Sequence, residues 1–432
     1  MDETSKPWEK TFIVLILILW SLTIIPIIQF VSSSNNINNI DLEELNTSFR
    51  GLRYNENGHY FDNLNSNNEK FIEIERKCFR ETFKIDSNAS DHIYVFSGSS
   101  MVTPFCEKKY IPLYLENIFE QENNQSKKVY NLAKSGARST SIVKSLNKSI
   151  NMEKPEMVLI YSGHNDHFES HNIIRDELDL LENNLIWYLY RKTFLSGRPN
   201  HEIEDLKRNT ITPYLINLGM SVGIIDSEKV YDIMNLVNEN ALDSYKTNME
   251  KIVEITERKG VETVFITVSS NLKIRPFEID YDFVNETSRD DFINYRDRGF
   301  EDLNKQNYEQ AIENFKDAEK LNSKNAMIHY KKGLIYEELG ETDKSLRSLR
   351  IARDKDDFSY DVRAKSSINN FIRSLNGSHV TVVDLKKLLK EDNNKLLFKP
   401  DLFDDWVHFN SEYNEIIAKK IFKGLEESSM VN

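Results

Sequence analysis

The sequence is short of the residues that interrupt regular structure. Of 432 residues, 14 are glycine and 9 are proline. That excludes a collagen-like or linker-rich chain and points to a helix-rich globular one. Cysteine is scarcer still, with Cys78 and Cys106 the only two. They flank the first candidate strand, and two readings stand: a disulfide formed in an oxidising compartment, or two buried thiols. Positive charge is in deficit. Lys and Arg number 56 against 69 Asp and Glu, leaving a net charge of −13 that argues against a nucleic-acid partner.

Charge of either sign is missing altogether from residues 12–31, which are dominated by Ile, Leu, Val and Phe. Twenty such residues span a bilayer core of roughly 30 Å. Lys6 and Lys10 precede the stretch, and Asp41, Glu43 and Glu44 follow it. This asymmetry keeps residues 1–11 in the cytoplasm and sends the rest outside. A cleaved signal peptide is the competing reading, but no small-x-small site follows the apolar core. Six Asn-x-Ser/Thr sequons, at Asn46, Asn88, Asn124, Asn147, Asn285 and Asn376, agree with export. An Asn-rich chain produces many of these by chance.

Residues 32–70 are polar and read as a tether. From residue 71 the chain turns globular, and a pattern recurs of short apolar runs, each ending in a polar turn. The runs are 92–96, 128–132, 157–161, 262–268 and 380–383. Helical segments separate them, which predicts β-α-β units and a parallel sheet covered on both faces. Ligands bind such sheets at the carboxyl ends of the strands. The first run ends in Ser97-Gly98-Ser99-Ser100, the second leads to Ser135-Gly136, and the third ends in Gly163-His164-Asn165-Asp166. These turns converge on one rim.

Residues 172–260 read as a mostly helical insertion carrying the aromatic cluster Trp187-Tyr-Leu-Tyr190. Aromatics at this density read first as core; a substrate wall, a lid and a membrane-facing surface are the alternatives. Residues 288–358 repeat internally. Gly299, Ala311, Phe315 and Ala318 recur 34 positions later as Gly333, Ser345, Leu349 and Ala352. This matches the tetratricopeptide period. Such repeats usually offer a surface to protein partners, although a pair of hairpins that only buttresses the rest is nearly as good a reading. A helix over residues 361–375 is expected to cap them. The first globular part is then 71–287, and 359–432 closes the domain.

In that last part, Asp405 and His408 form an Asp-x-x-His pair ahead of a helix predicted over 411–425. Three-residue spacing in a turn lets the carboxylate hold one imidazole nitrogen and leaves the other to accept a proton. A serine nucleophile needs such an oriented base. Ser99, Asp405 and His408 would supply nucleophile, orienter and base. The backbone N–H of Ser99, the N–H of Gly136 and the Asn165 amide would supply oxyanion donors. His164, His167 and His171 lie close in sequence but lack a carboxylate pattern, so no metal and no cofactor is expected.

These four blocks, in order, resemble the SGNH/GDSL hydrolases: Ser97-Gly98-Ser99-Ser100, Ser135-Gly136, Gly163-His164-Asn165-Asp166 and Asp405-x-x-His408. The resemblance covers most of residues 90–425. It implies a flavodoxin-like three-layer α/β/α fold, with Ser99 as the nucleophile among Ser97, Ser99 and Ser100. Ser97, Ser100 and Ala133 depart from the commonest family residues. Further stretches around Asn271 and Arg363 resemble a membrane-anchored subgroup with repeats before the last block. In that subgroup Gly163, Asn271 and Arg363 would serve as support or substrate residues. The expected function is an exported, membrane-anchored serine esterase acting on O-acetyl glycan or lipid esters. Acyl transfer to a sugar by the same residues and a non-catalytic envelope scaffold are the alternatives.

Overall fold

The computed structural model describes residues 71–75, 80–84, 92–101, 110–123, 127–166, 224–276, 286–356, 363–391, 399, 401–428 and 430. Two strands, β1 (Phe71–Glu75) and β2 (Arg80–Lys84), pair as an antiparallel hairpin that the sequence pattern had not suggested. The main sheet contains β3 (His92–Ser97), β4 (Lys128–Asn131), β5 (Met157–Tyr161), β6 (Glu262–Ile266) and β7 (Val380–Val383). All its pairings are parallel, in the order β4-β3-β5-β6-β7. In chain order this is 2-1-3-4-5, the flavodoxin-like doubly wound arrangement.

The central strands β3 and β5 are buried along their whole length, as near-continuous apolar runs must be when helices cover both faces. The chain steps outward from β3 to β4, then back across β3 to β5. Right-handed crossovers therefore put the two connecting helices, α1 (Ile111–Asn123) and α2 (Ser139–Met152), on opposite faces. The long helix α3 (Ser227–Lys259) packs on α2, with Asn248 Nδ2 donating to Ser139 Oγ at 2.9 Å. The last helix, α10 (Asn414–Glu427), packs on α1, with Phe119 and Phe422 edge to face at 5.3 Å. The layers are helix, sheet, helix.

Two sequence expectations need correcting. Residues 227–259 do not belong to an insertion but form one continuous helix, the crossover from β5 to β6. Asp226 caps its start and Gly260, at φ +60°, ends it. Tyr245, Met249, Ile252 and Ile255 recur at helical spacing and enter the core beneath the sheet. Helical periodicity alone does not tell a crossover from an insertion, because both bury one stripe. The aromatic cluster at 187–190 lies outside the described residues.

The second correction concerns the helix beyond the repeats. Four helices, α4 (Glu286–Asn304), α5 (Tyr308–Leu321), α6 (Ala326–Glu338) and α7 (Thr342–Lys355), form two hairpins. A Cβ on Gly299 would sit 2.5 Å from the Phe315 ring, and one on Gly333 would sit 2.6 Å from Leu349. The 34-residue repeat is therefore a repeated helix crossing that only glycine admits. Helix α8 (Ser366–Ser374), expected as their cap, instead sends Ile368 and Ile372 into the core of the sheet domain. Asn369 brackets Val268, accepting from its N–H at 2.8 Å and donating to its C=O at 3.0 Å. An amide that mimics a neighbouring strand ties α8 to the end of β6, while its first residue, Ser366, donates to Asp354 at 2.9 Å and accepts from Arg353 at 2.9 Å at the end of α7.

Helix α9 (Leu385–Glu391) follows β7 directly. Among the described residues no helix is long and apolar enough to cross a membrane. The expected span at 12–31, the tether at 32–70, Cys78, Cys106, His167 and His171 lie outside them.

Candidate active site

Because every strand of the main sheet is parallel, the turns after β3, β4, β5 and β6 emerge on one edge. The turn after β3 is Gly98, then a single 3-10 turn, Ser99–Met101. Ser100 and Met101 are buried, while Ser99 is partly exposed. A Cβ on Gly98 would lie 2.6 Å from Asn165 Nδ2. Only glycine lets the Asn165 amide come against the backbone that precedes Ser99.

The same amide donates to the Ala137 carbonyl at 3.0 Å. An amide NH2 has two donor hydrogens, so this bond fixes the plane of the group and leaves one hydrogen uncommitted. Ala137 follows Gly136, which is exposed and takes φ +72° in a turn closed by Ala137 N–H to Lys134 O at 3.1 Å. Lys134 N–H donates in turn to Ser97 O at 3.0 Å. The loops bearing Ser99, Gly136 and Asn165 are thus knitted to one another.

Gly163 adopts φ +129°, and a Cβ there would lie 2.6 Å from Ile368. The next residue, His164, is buried and accepts from Ala364 N–H through Nδ1 at 3.2 Å. Burial, then the nearby charges of His408, Arg353 and Lys386, push its pKa down to about 3. His164 is therefore a neutral imidazole that joins the β5 turn to the segment before α8. Asp166 accepts from Ser139 N–H at 2.9 Å and pins the start of α2. Among the described residues no group of three His, Cys, Asp or Glu could hold a metal ion.

Residues 401–410 form a tight loop. Phe403 and Phe409 pair as an isolated bridge with rings stacked at 4.8 Å, and Leu402, Val407 and Phe409 anchor it in the core. His408 Nδ1 lies 2.6 Å from Asp405 Oδ2. The other carboxylate oxygen accepts from the N–H groups of Val407 and His408, each at 2.9 Å. Burial alone would raise the Asp405 pKa. The bonds from His408 and from the two backbone N–H groups outweigh it and hold the carboxyl below its usual range. An ionised Asp405 at Nδ1 directs the His408 lone pair to Nε2, which is buried and without a hydrogen bond.

This loop is mounted on the end of β6. Asn271 N–H donates to Trp406 O at 2.9 Å, and Asn271 Nδ2 donates to Asp405 O at 3.3 Å. The Asn271 carbonyl accepts from Arg363 Nη1 at 2.8 Å. Arg363 also pairs at 3.4 Å with Asp356, both side chains being almost wholly buried. Asn271 and Arg363 position the loop that carries Asp405 and His408.

The structure therefore joins Asn165 to the Ser99 and Gly136 turns, joins Asp405 to His408, and mounts both sets on the same edge. Ser99 and His408 share no hydrogen bond with each other, and His408 Nε2 is left without a partner; catalytic hydrogen bonds often form only around bound substrate. Asp356 and Asn369 as supports, and the bracing role of His164, were not legible in the sequence. His164 and Asn369 act through partners 200 and 101 residues away, which no local spacing encodes, while Asp356 pairs with Arg363 only seven residues on, over a stretch without a recognisable motif.

A family model described as a TPR repeat matches residues 301–340. No curated protein matches the chain. Solved structures similar to it include the lipase Lip_vut3 from a goat rumen metagenome, at 13% identity, with 77% of this chain and 97% of that one covered and a TM-score of 0.36. The psychrotrophic esterase EstA from Pseudoalteromonas sp. is 9% identical, covers 79% of this chain and 100% of its own, and has a TM-score of 0.33. The acetyl xylan esterase AlAXEase is 11% identical, with 77% and 99% covered and a TM-score of 0.32. The overlay is loose in each case.

Proposed function

We propose that the chain is a serine hydrolase of SGNH type that cleaves carboxylic esters. The observation that carries this reading is the mounting of an Asp405–His408 pair on the sheet edge where the Asn165 amide is held against the Ser99 turn. In this reading His408 Nε2 takes the Ser99 hydroxyl proton as the oxygen attacks the ester carbonyl. The tetrahedral oxyanion forms among the N–H groups of Ser99 and Gly136 and the free hydrogen of Asn165. The imidazolium, held by Asp405, then gives its proton to the leaving alcohol. Water attacks the acyl-serine by the same path, returning the proton to Ser99 and releasing the acid.

O-acetyl groups on glycans and lipid esters are the substrates that the motif resemblance suggests. The uncharged stretch at 12–31, with lysines ahead of it, supports an anchored enzyme with its catalytic domain outside the cytoplasm. The repeats would offer a protein partner a surface beside the hydrolase domain.

The test is turnover of p-nitrophenyl acetate by the detergent-solubilised full chain beside Ser99→Ala and His408→Ala. The reading expects activity that falls at least 10³-fold in both, of the order seen when a catalytic triad loses a member. Equal rates in all three proteins, across several acyl chains and acetylated glycans, would reject it.

A further inference from the structure

Where α7 of the repeats meets α8 and α9 of the sheet domain, two adjoining hollows of about 280 and 370 Å³ share Arg350, Ser366 and Lys390 as lining. Positive charge dominates them: six Lys and Arg side chains face three carboxylates. The carboxylates are already engaged. Asp384 pairs with Arg373 at 2.7 Å and Asp343 with Lys390 at 2.7 Å. Asp354 pairs with Arg353 at 2.7 Å and accepts from Ser366 N–H at 2.9 Å.

Four of the six lining cations have no ion pair among the described residues: Arg347 and Lys387, which are exposed, and Arg350 and Lys386, which are partly buried. Arg350 makes no ion pair among the described residues, and its Nε is buried without a hydrogen bond. The Lys386 side chain has no hydrogen-bond or ion-pair partner among them either. Its neighbours are cationic: burial, then the charges of Arg353 and Arg350, pull the ammonium down to about 7, with Asp354 opposing and Arg373 adding to the repulsion. Burial likewise lowers the Arg350 pKa, with Arg353 and Arg373 adding to it and Asp354 and Asp343 opposing only in part. Cations that outnumber the carboxylates in a cleft are costly unless something negative joins them.

We propose that this cleft binds a phosphate-type dianion, with Arg350 and Lys386 as its principal ligands. Arg350 supplies the planar fork suited to tetrahedral oxyanions, and Lys386 supplies a point charge. The exposed Lys387 and Arg347 add positive field at the mouth. The hollow is large enough to take a phosphoryl group with a small organic moiety attached, so inorganic phosphate and a phosphorylated metabolite are the two sources of the same chemistry. Bound there, the dianion would bridge α7 to α8 and α9. It would thus hold the repeats against the sheet domain, and this holds whether or not the chain is an esterase.

The test is thermal unfolding and isothermal titration of the full chain with inorganic phosphate, glycerol phosphate and acetate at pH 7. Phosphate should bind saturably and raise the melting temperature by roughly 2–4 °C at saturation. Arg350→Gln should weaken binding at least tenfold. Lys386→Met removes a cation with no partner, so it should fold at least as stably as wild type without phosphate and lose the phosphate-dependent rise. Tighter binding of glycerol phosphate than of phosphate would identify a phosphorylated ligand, and equal binding would identify the free ion. Absence of saturable binding, equal binding by wild type and both variants, or acetate binding as tightly as phosphate would overturn the proposal.

Discussion

Arg363 donates to the Asn271 carbonyl at 2.8 Å, and Asn271 in turn holds the carbonyls of Asp405 and Trp406. An arginine just before α8 thus sets the position of a histidine 45 residues further along, without touching it. The link is built on a buried ion pair with Asp356, so its members differ in what their loss should do.

Asn271→Ala removes one side-chain bond to the loop and keeps the backbone one, so stability should fall by only about 1 kcal/mol. Turnover should fall about tenfold because His408 is less well held. Arg363→Met also leaves Asp356 buried without that cation and should cost roughly 3 kcal/mol. Denaturant unfolding beside ester turnover separates the two, and adding Asp356→Asn to Arg363→Met should recover most of the stability but not the rate.

Gly98 and Gly163 are both closely approached, but by different things. At Gly98 a Cβ meets the Asn165 amide, so Gly98→Ala should spare most of the stability and cut turnover about 10²-fold, the usual effect of misplacing one oxyanion donor. At Gly163 a Cβ meets Ile368 in the core and the backbone lies at φ +129°, so Gly163→Ala should cost several kcal/mol by both routes. Unfolding and turnover of the two variants should rank in opposite orders.

The His164 imidazole has a folded pKa near 3, below its unfolded value of about 6.5. Its contribution to stability is therefore complete above about pH 6.5 and is lost as pH falls toward 3. In the middle of that window the loss is about 1.4 kcal/mol per pH unit. His164→Asn, which keeps an acceptor for Ala364 N–H, should flatten the profile between pH 6 and 4. Urea midpoints at those pH values read the difference.

Much of this was legible in the chain. The five apolar runs read as strands because buried parallel strands have no polar alternation to hide them. The Gly299 and Gly333 crossings showed because a helix contact that excludes a Cβ constrains residue identity at fixed spacing. The Asp405–His408 pair was legible for the same reason, since three residues in a turn fix its geometry. What did not show was long-range bracing. Helix α8 reads as amphipathic whichever surface it packs on, and its place beside β6 depends on the Asn369 amide meeting the Val268 backbone. Helix α3 read as part of the insertion at 172–260 because helical periodicity is the same in a crossover and an insertion. The basic cleft draws its cations from α7, α8 and α9, which meet only once the chain has folded.

Gly333 gives a test of the repeats alone. A Cβ there meets Leu349 at 2.6 Å, so Gly333→Ala should open the second hairpin and cost about 2 kcal/mol, while Gly333→Ala with Leu349→Ala should recover part of that. Hydrogen exchange should report the loss in α6 and α7 and leave β3 and β5 protected.

The central claim is that Ser99 is a nucleophile activated by His408. A fluorophosphonate probe reacts covalently with such a serine, and peptide mass spectrometry of the labelled full chain reads the site. The account predicts one adduct, on Ser99, absent from Ser99→Ala and strongly reduced in His408→Ala. An adduct on Ser97 or Ser100, or labelling that His408→Ala leaves unchanged, would contradict it.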